Sequence, residues 1–159
     1  MINASEKVVF LLRVSMGWLY FYAGIMKLLS PDGWSAAGYL ASAKTFPGFF
    51  AFLAGPQILP FINFIVMWGL ILLGVSLILG VFVRLSTSLG AVLMFLFYLP
   101  VLTFPFVGKN YFIVDEHLIF LLALLMLGNA RAGRIWGLEN WCAKLPICSR
   151  YPKLRQLLG

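Results

Sequence analysis

Charged residues are scarce in this sequence. They make up 11% of the 159 residues, and only five are Asp or Glu, whereas hydrophobic residues make up 62%. The mean hydropathy is +0.98. Because a soluble domain contains roughly 45–50% apolar residues, this composition excludes such a domain and predicts an integral membrane protein.

Residues for metal, redox or nucleotide chemistry are equally few. The only cysteines, Cys142 and Cys148, are spaced neither as a CxxC pair nor as the close pairs of a zinc ribbon, and we expect free thiols. His117, the only histidine, lacks further ligands at metal-binding spacing, so we expect no metal. The chain has no glycine-rich phosphate loop and no nucleic-acid motif, so its net charge of +7 favours a membrane surface over nucleic acid as its partner.

Four apolar segments reach the roughly 20 helical residues that cross a hydrocarbon core about 30 Å thick. They lie near residues 8–29, 59–82, 86–106 and 111–129. They predict an all-α fold, an integral membrane four-helix bundle formed by residues 1–131. The aromatic loop from Ser30 to Leu59 is expected to cover the outer face as a short interfacial helix, and residues 132–159 to form a basic amphipathic tail along the cytoplasmic headgroups.

The distribution of basic residues predicts the orientation of the chain. Four spans place both termini on one side of the membrane, and that side then carries nine of the twelve Lys and Arg residues, with Lys27, Lys44 and Lys109 opposite. The positive-inside rule therefore places both termini in the cytoplasm of a cell whose plasma membrane holds the protein.

The stretch Tyr111–Leu122 holds the least expected residues, because Asp115, Glu116 and His117 stand side by side near the outer end of the fourth span. Carboxylates cost up to a few kcal/mol at the centre of a membrane helix. Successive helical residues are about 100° apart, so at least one of the three must face the bundle interior. They are therefore candidate catalytic residues; alternatively, the cluster anchors a helix end with Tyr111 and nearby lysines.

Two lysines are expected to serve this cluster. Lys27 lies at the outer end of the first span, and Lys109 lies just before the fourth. We expect them to neutralise Asp115 and Glu116, because intramembrane charges pair with one another. The result would be a polar site in the outer leaflet.

Small and polar residues recur at helical spacing. In the first span, intervals of three and four place one set on a single face: Arg13, Gly17, Tyr20, Gly24 and Lys27. Such glycines allow a neighbouring helix to approach closely, and the two cations are expected to snorkel from the two helix ends. Similar lines are predicted on the second span at Gly69, Ser76 and Gly80 and on the fourth at His117, Leu124 and Gly128.

Three stretches carry short motifs: RVSMGWLYFYAGIMKLL, LGVFVRLSTSLGAVL and DEHLIFLLALLMLGNARAGRIWGLENW. They contain G-x-x-K from Gly24 to Lys27, LG-x-x-x-R from Leu79 to Arg84, and both D-x-H and GR-x-WGL-E between Asp115 and Glu139. Over roughly residues 8–141 the chain resembles the DoxX/DoxD family of small four-helix membrane proteins. Some members of that family are the large subunit of thiosulfate:quinone oxidoreductase.

The resemblance implies a redox-associated membrane subunit, quinone-linked and serving sulfur or thiol oxidation. A quinone head group would accept hydrogen bonds from the protein, with nearby carboxyl groups relaying protons. The residues assigned to this site are Lys27, Tyr20 and Tyr111 for quinone binding, and Asp115, Glu116 and His117 for catalysis. No haem or flavin site is evident in the sequence, so quinone is the one cofactor expected.

A second interpretation is a non-catalytic accessory or structural subunit of a larger respiratory or photosynthetic membrane complex. Its aromatic faces and basic tail would supply the contacts. Besides the lipid bilayer, the expected partners are other membrane subunits or further copies of this chain. A small transporter is less favoured, because no internal repeat is evident.

Overall fold

A computed structural model describes residues 3–108 and 111–139. The helices are α1 Ala4–Leu28, α2 Ala37–Ala41, α3 Pro47–Leu53, α4 Leu59–Leu79, α5 Val83–Val101 and α6 Glu116–Asn129, followed by a 3-10 turn at Ala132–Arg134. Three short strands are β1 Leu102–Thr103, β2 Phe106–Val107 and β3 Tyr111–Phe112. Lys109, both cysteines and the predicted tail beyond Glu139 lie outside the described residues.

Among the described residues, α1, α4 and α5 are long and apolar enough to cross a membrane. They correspond to the first three predicted spans, and α4 ends at Gly80, whose φ of 67° suits a glycine cap. The prediction of a single helix over residues 111–129 is wrong, because α6 has only 14 residues. It starts late because Asp115 adopts an extended conformation and caps the helix.

A small antiparallel sheet forms in the segment that connects α5 to α6. Its strand order is β1-β2-β3, with Leu102 opposite Val107 and Phe106 opposite Phe112. The third predicted span, 86–106, therefore stops being helical at Val101. The mostly helical chain departs here from the predicted all-α fold, just after Pro100, which cannot donate a backbone hydrogen bond to continue the helix.

The closest helix pairs are α1 with α4 and α5 with α6. On α1, the predicted face is confirmed, because Arg13, Gly17, Tyr20 and Gly24 are all buried. A Cβ atom on Gly17 would lie 2.9 Å from the backbone nitrogen of Ile78, and one on Gly24 would lie 2.9 Å from that of Ile71. On α4 the close approach is made by Gly74, whereas the predicted Gly69 has open space around it.

The segment from Ser30 to Leu59 covers one end of the helices with two short helices, α2 and α3, where the sequence predicted one. Leu40 and Phe50 are buried in a small core of their own. The backbone nitrogen of Lys44 donates to the carbonyl oxygen of Pro100 at 3.0 Å, and Thr45 Oγ1 donates to that of Leu102 at 2.6 Å. These bonds hold the loop against the end of α5.

Two ends of the molecule are named by their polar residues. The histidine end comprises α2, α3, the sheet, the C-termini of α1 and α5, and the start of α6 with His117. The arginine end comprises the first half of α1 with Arg13, the turn between α4 and α5, and residues 131–139, which follow α6.

Gly74→Ala should destabilise the protein, because its Cβ would lie 2.6 Å from the Cα of Phe21 in the α1–α4 contact. Overpacking of this kind costs about 1–3 kcal/mol. Gly69→Ala on the same helix is the matched control, and better helix propensity should make it neutral or stabilising by up to about 1 kcal/mol. Thermal unfolding in detergent measures both; equal effects would contradict the packing described.

Candidate functional site

Asp115 organises the start of α6. Its Oδ1 accepts a hydrogen bond from the backbone nitrogen of Leu118 at 3.1 Å, which caps the helix. Its Oδ2 lies 2.6 Å from Nδ1 of His117. The Asp115 side chain is buried, and the side chain of His117 is 22% exposed. One carboxylate thus fixes both the start of the helix and the orientation of the imidazole.

The bond to Asp115 determines which nitrogen of His117 carries a hydrogen. An ionised carboxylate can only accept, so Nδ1 must donate to it. In the neutral imidazole, Nε2 is then the acceptor, and among the described residues it has no hydrogen-bond partner. Nε2 is therefore the ring nitrogen left to bond a ligand.

His117 borders a cavity of about 350 Å³ at the histidine end. Its wall is mostly apolar and is drawn from α1, α4, α5, α6 and the covering loop. Lys27 and His117 supply charged or titratable groups, and the aromatic residues of the wall are Trp34, Tyr39, Phe50 and Phe97. Pockets of this kind, apolar with a few convergent polar groups, are typical of small-molecule sites.

Ring contacts hold the two polar side chains of the cavity. Lys27 Nζ lies 5.1 Å from the centroid of the Trp34 ring, within the range of a cation–π contact. The His117 ring meets Phe97 edge to face, with centroids 6.2 Å apart. Both side chains are therefore positioned by aromatic neighbours.

Two tyrosines tie the surrounding segments together. Tyr39 donates from its hydroxyl to the carbonyl oxygen of Phe97, and Tyr98 donates to that of Ile113 at 2.6 Å. Burial, together with the nearby charges of Asp115 and Glu116, raises the pKa of Tyr39 to about 12. Tyr39 is therefore a hydrogen-bond donor at neutral pH.

The structure brings together only part of the predicted site. Lys27 and His117 line one cavity, and Asp115 joins them through His117. Tyr20 is buried against Phe120 and is not in the cavity wall. Two more predicted residues point elsewhere: Glu116 is exposed in the first turn of α6, and Tyr111 is exposed on β3.

The predicted ion pairs of Lys27 are not formed. Among the residues described, the ion pairs are His117 with Asp115 and Arg134 with Glu139, and the Lys27 ammonium lies over Trp34 instead. Asp115 is buried at the start of α6, where its carboxylate is bonded by the backbone nitrogen of Leu118 and by His117. The carboxylate therefore does not need a lysine as a partner. Trp34 and Tyr39 belong to the aromatic loop from Ser30 to Leu59, and their place in the wall depends on how that loop folds back.

A second polar cluster occupies the arginine end. Arg13 is completely buried; its Nη1 donates to the carbonyl oxygen of Ala132 at 3.1 Å and its Nη2 to that of Trp136 at 3.4 Å. The prediction that Arg13 snorkels to the surface is wrong, because residues that follow α6 cover it and accept hydrogen bonds from both of its Nη atoms. A Cβ atom on Gly80 or Gly137 would collide with its guanidinium.

Glu139 completes this cluster. The residue is 4% exposed, and its Oε1 lies 3.8 Å from Nε of Arg134. Among the described residues, neither carboxylate oxygen accepts a hydrogen bond. Burial raises the pKa of Glu139 above its usual value, against the opposing effect of Arg134, Arg13 and Arg131. A Cβ atom on Gly133 would overlap Oε2 of Glu139. The two glycines of GR-x-WGL-E therefore leave the space that the buried side chains of Glu139 and Arg13 occupy.

The fold and the cavity define a small multi-helix membrane protein with a ligand-sized apolar pocket edged by a His–Asp pair. The family model described as DoxX matches residues 8–103, more than half of the sequence, and the chain belongs to the DoxX family. The matched residues include the G-x-x-K and LG-x-x-x-R motifs but not D-x-H or GR-x-WGL-E. No curated protein and no solved structure matches the chain.

Asp115→Ala should lower the free energy of unfolding by about 0.5–2 kcal/mol, because it removes a helix cap. Asp115→Asn should cost less, since an amide oxygen can still accept from the backbone nitrogen of Leu118. Glu116→Gln, next in sequence and exposed, is the control and should lose only the contribution of a first-turn charge, about 0.3–1 kcal/mol. Equal losses for the Ala and Asn variants would contradict the capping role of Asp115.

Glu139→Gln tests the charge state of the buried carboxyl group. A pKa raised by folding means that the protonated form stabilises the fold, and this contribution disappears as the pH rises from the unfolded value, about 4.3, through the folded value. The unfolding free energy of the wild type minus that of Glu139→Gln should therefore fall across this window. Denaturant titrations at a series of pH values measure it; a difference that rises with pH would contradict the raised pKa.

Proposed function

We propose that this DoxX family membrane protein is a redox-associated subunit that binds a quinone ring in the cavity at the histidine end. The observation that supports the proposal most strongly is the position of the Asp115–His117 pair at the edge of an apolar cavity of about 350 Å³. This volume lies within the range of small-molecule pockets, roughly 300–1,000 Å³.

The chemistry of the wall matches that of a quinone. The ligand is a flat apolar ring with acceptor oxygens at opposite edges, and aromatic faces such as those of Trp34 and Phe97 suit the ring. The ammonium of Lys27 can donate to one oxygen. His117, when protonated at Nε2, can donate to the other, and charge-assisted bonds of this type are the stronger ones.

The His–Asp pair also suits proton exchange at the ring oxygens. Reduction of a quinone by two electrons consumes two protons, and its reverse releases them. His117 is the group that gives or takes a proton at Nε2, while Asp115 holds the ring and offsets the charge of the imidazolium through Nδ1. The electron donor we propose is a sulfur or thiol compound, delivered directly or through a partner subunit.

We also propose the membrane that holds this subunit, its orientation and its partners. Apolar helices indicate a lipid bilayer environment. We propose that the protein lies in the cell membrane with both termini on its cytoplasmic side, and that it binds partner subunits or further copies of the chain.

The alternative function is an accessory subunit of a larger membrane complex. It is favoured by exposed aromatic pairs on two helices, Trp18 stacked with Tyr22 on α1 and Phe64 beside Trp68 on α4.

Quinone binding is tested by fluorescence titration of the purified protein in nanodiscs, because quinones quench tryptophan and Trp34 is in the cavity wall. His117→Ala and Lys27→Met should each weaken binding about tenfold or more, which corresponds to about 1.4 kcal/mol. Lys7→Met, an exposed lysine at the other end of α1, is the matched control and should bind as the wild type does.

Saturable quenching lost in the two cavity variants and kept in the control would support the proposal. Wild-type affinity in all three variants, or no quenching in the wild type, would contradict it. Co-purification of other membrane subunits with a wild type that binds no quinone would favour the accessory alternative.

A further inference from the structure

Helix α6 is too short to cross a bilayer by itself. Its 14 residues rise about 21 Å at 1.5 Å per residue, against a hydrocarbon core of about 30 Å. Its neighbour α5 has 19 residues and rises about 28 Å. The fourth crossing therefore lacks roughly 9 Å, and the missing length is at the histidine end, where α6 begins.

The segment before α6 supplies most of this difference. Residues Tyr111–Phe112 form β3, and Ile113 and Val114 continue the chain to the helix cap. Extended backbone rises about 3.3 Å per residue, so the two strand residues reach about 7 Å. The chain then bends at Ile113, whose φ is 60°, before Val114 leads to the helix cap. Because β3 pairs with β2, the whole sheet lies beside this part of the crossing.

The side chains of the sheet are those of a lipid-facing surface. Phe104 is 81% exposed, Phe112 is 64% exposed and Phe106 is 56% exposed, and residues 102–108 and 111–114 contain no charged side chain. An exposed apolar patch of this kind is unusual for a surface in water. On the neighbouring helices, Phe95 of α5 and Ile119 of α6 are exposed as well.

The backbone of the sheet is also suited to a medium without water, where each polar group needs an internal partner. Besides the strand pairing, Gly108 N donates to the carbonyl oxygen of Val101 at 3.0 Å and Ile113 N to that of Pro105 at 3.0 Å. The carbonyl oxygen of Ile113 accepts from the Tyr98 hydroxyl. In the irregular segment between β3 and α6, both backbone polar groups of Ile113 are therefore bonded.

We propose that the three-stranded sheet is embedded in the bilayer, at the boundary between hydrocarbon and headgroups, and completes the fourth crossing that α6 begins. The partner of its aromatic surface is lipid. The observation that supports the proposal most strongly is that α6 is shorter than the hydrocarbon core and that the sheet lies at the same end of the molecule. The described residues of the sheet are uncharged, and aromatic side chains cover its surface. This placement is independent of quinone binding, since the sheet contributes no residue to the cavity wall.

Spin labels at single cysteines test the placement in nanodiscs, after Cys142→Ser and Cys148→Ser remove the native thiols. Phe112→Cys reports on the sheet. Leu122→Cys, exposed on the apolar face of α6, is the lipid control, and Asp32→Cys, in the exposed turn after α1, is the water control. Oxygen and a water-soluble nickel chelate are the two relaxing agents.

The ratio of oxygen to nickel accessibility at position 112 should be several-fold higher than at position 32 and should approach that at position 122. A ratio equal to that at position 32 would overturn the proposal, because the sheet would then lie in water. A label at 112 reached by neither agent would also overturn it, because a protein surface would then cover the sheet. Because these substitutions are at exposed positions, circular dichroism should show unchanged helix content in all three variants.

Discussion

The Asp115 carboxylate joins the fold of the histidine end to its chemistry. One oxygen accepts from the first turn of α6, and the other fixes the imidazole of His117. A buried carboxylate is costly unless its oxygens are bonded, and here both are. The same residue therefore determines where the helix begins, how the only histidine is oriented, and which of its nitrogens is left to meet a ligand.

The arginine end also buries charged side chains, with different residues. Arg13 is buried on α1 and bonds two carbonyl oxygens of the segment that follows α6. Backbone bonds from Leu138 and Glu139 to the α4–α5 turn close that segment over the guanidinium. Glycines line the contact because any side chain there would overlap a charged group. The short GR-x-WGL-E motif thus has a structural explanation in one buried cation and one buried carboxylate.

Local sequence patterns were sufficient for a large part of this architecture. Apolar length located α1, α4 and α5 to within a few residues, and intervals of three and four identified the face of α1 that packs on α4. The short motifs were also sufficient for the DoxX resemblance, which the family model confirms. These features depend on residues close together in the chain, where periodicity and composition are informative.

Features that depend on distant contacts could not be read in the same way. The apolar run before α6 reads equally well as helix or strand, and only its pairing with Phe106 and Val107 determines that it is a strand. Arg13 follows a pattern typical of snorkelling, but its partners lie more than a hundred residues away. Likewise Trp34 and Tyr39 reach the cavity only because the loop folds back over α5.

The central claim is that His117, held at Nδ1 by Asp115, offers Nε2 to a quinone. Since the chain has one histidine, selective ¹⁵N labelling of histidine yields a single imidazole whose two nitrogens can be followed by NMR in nanodiscs. The account predicts a protonated-type Nδ1 signal, and a change at Nε2, larger than at Nδ1, when quinone is added. A ring protonated at Nε2 alone, or signals unchanged at saturating quinone, would contradict it.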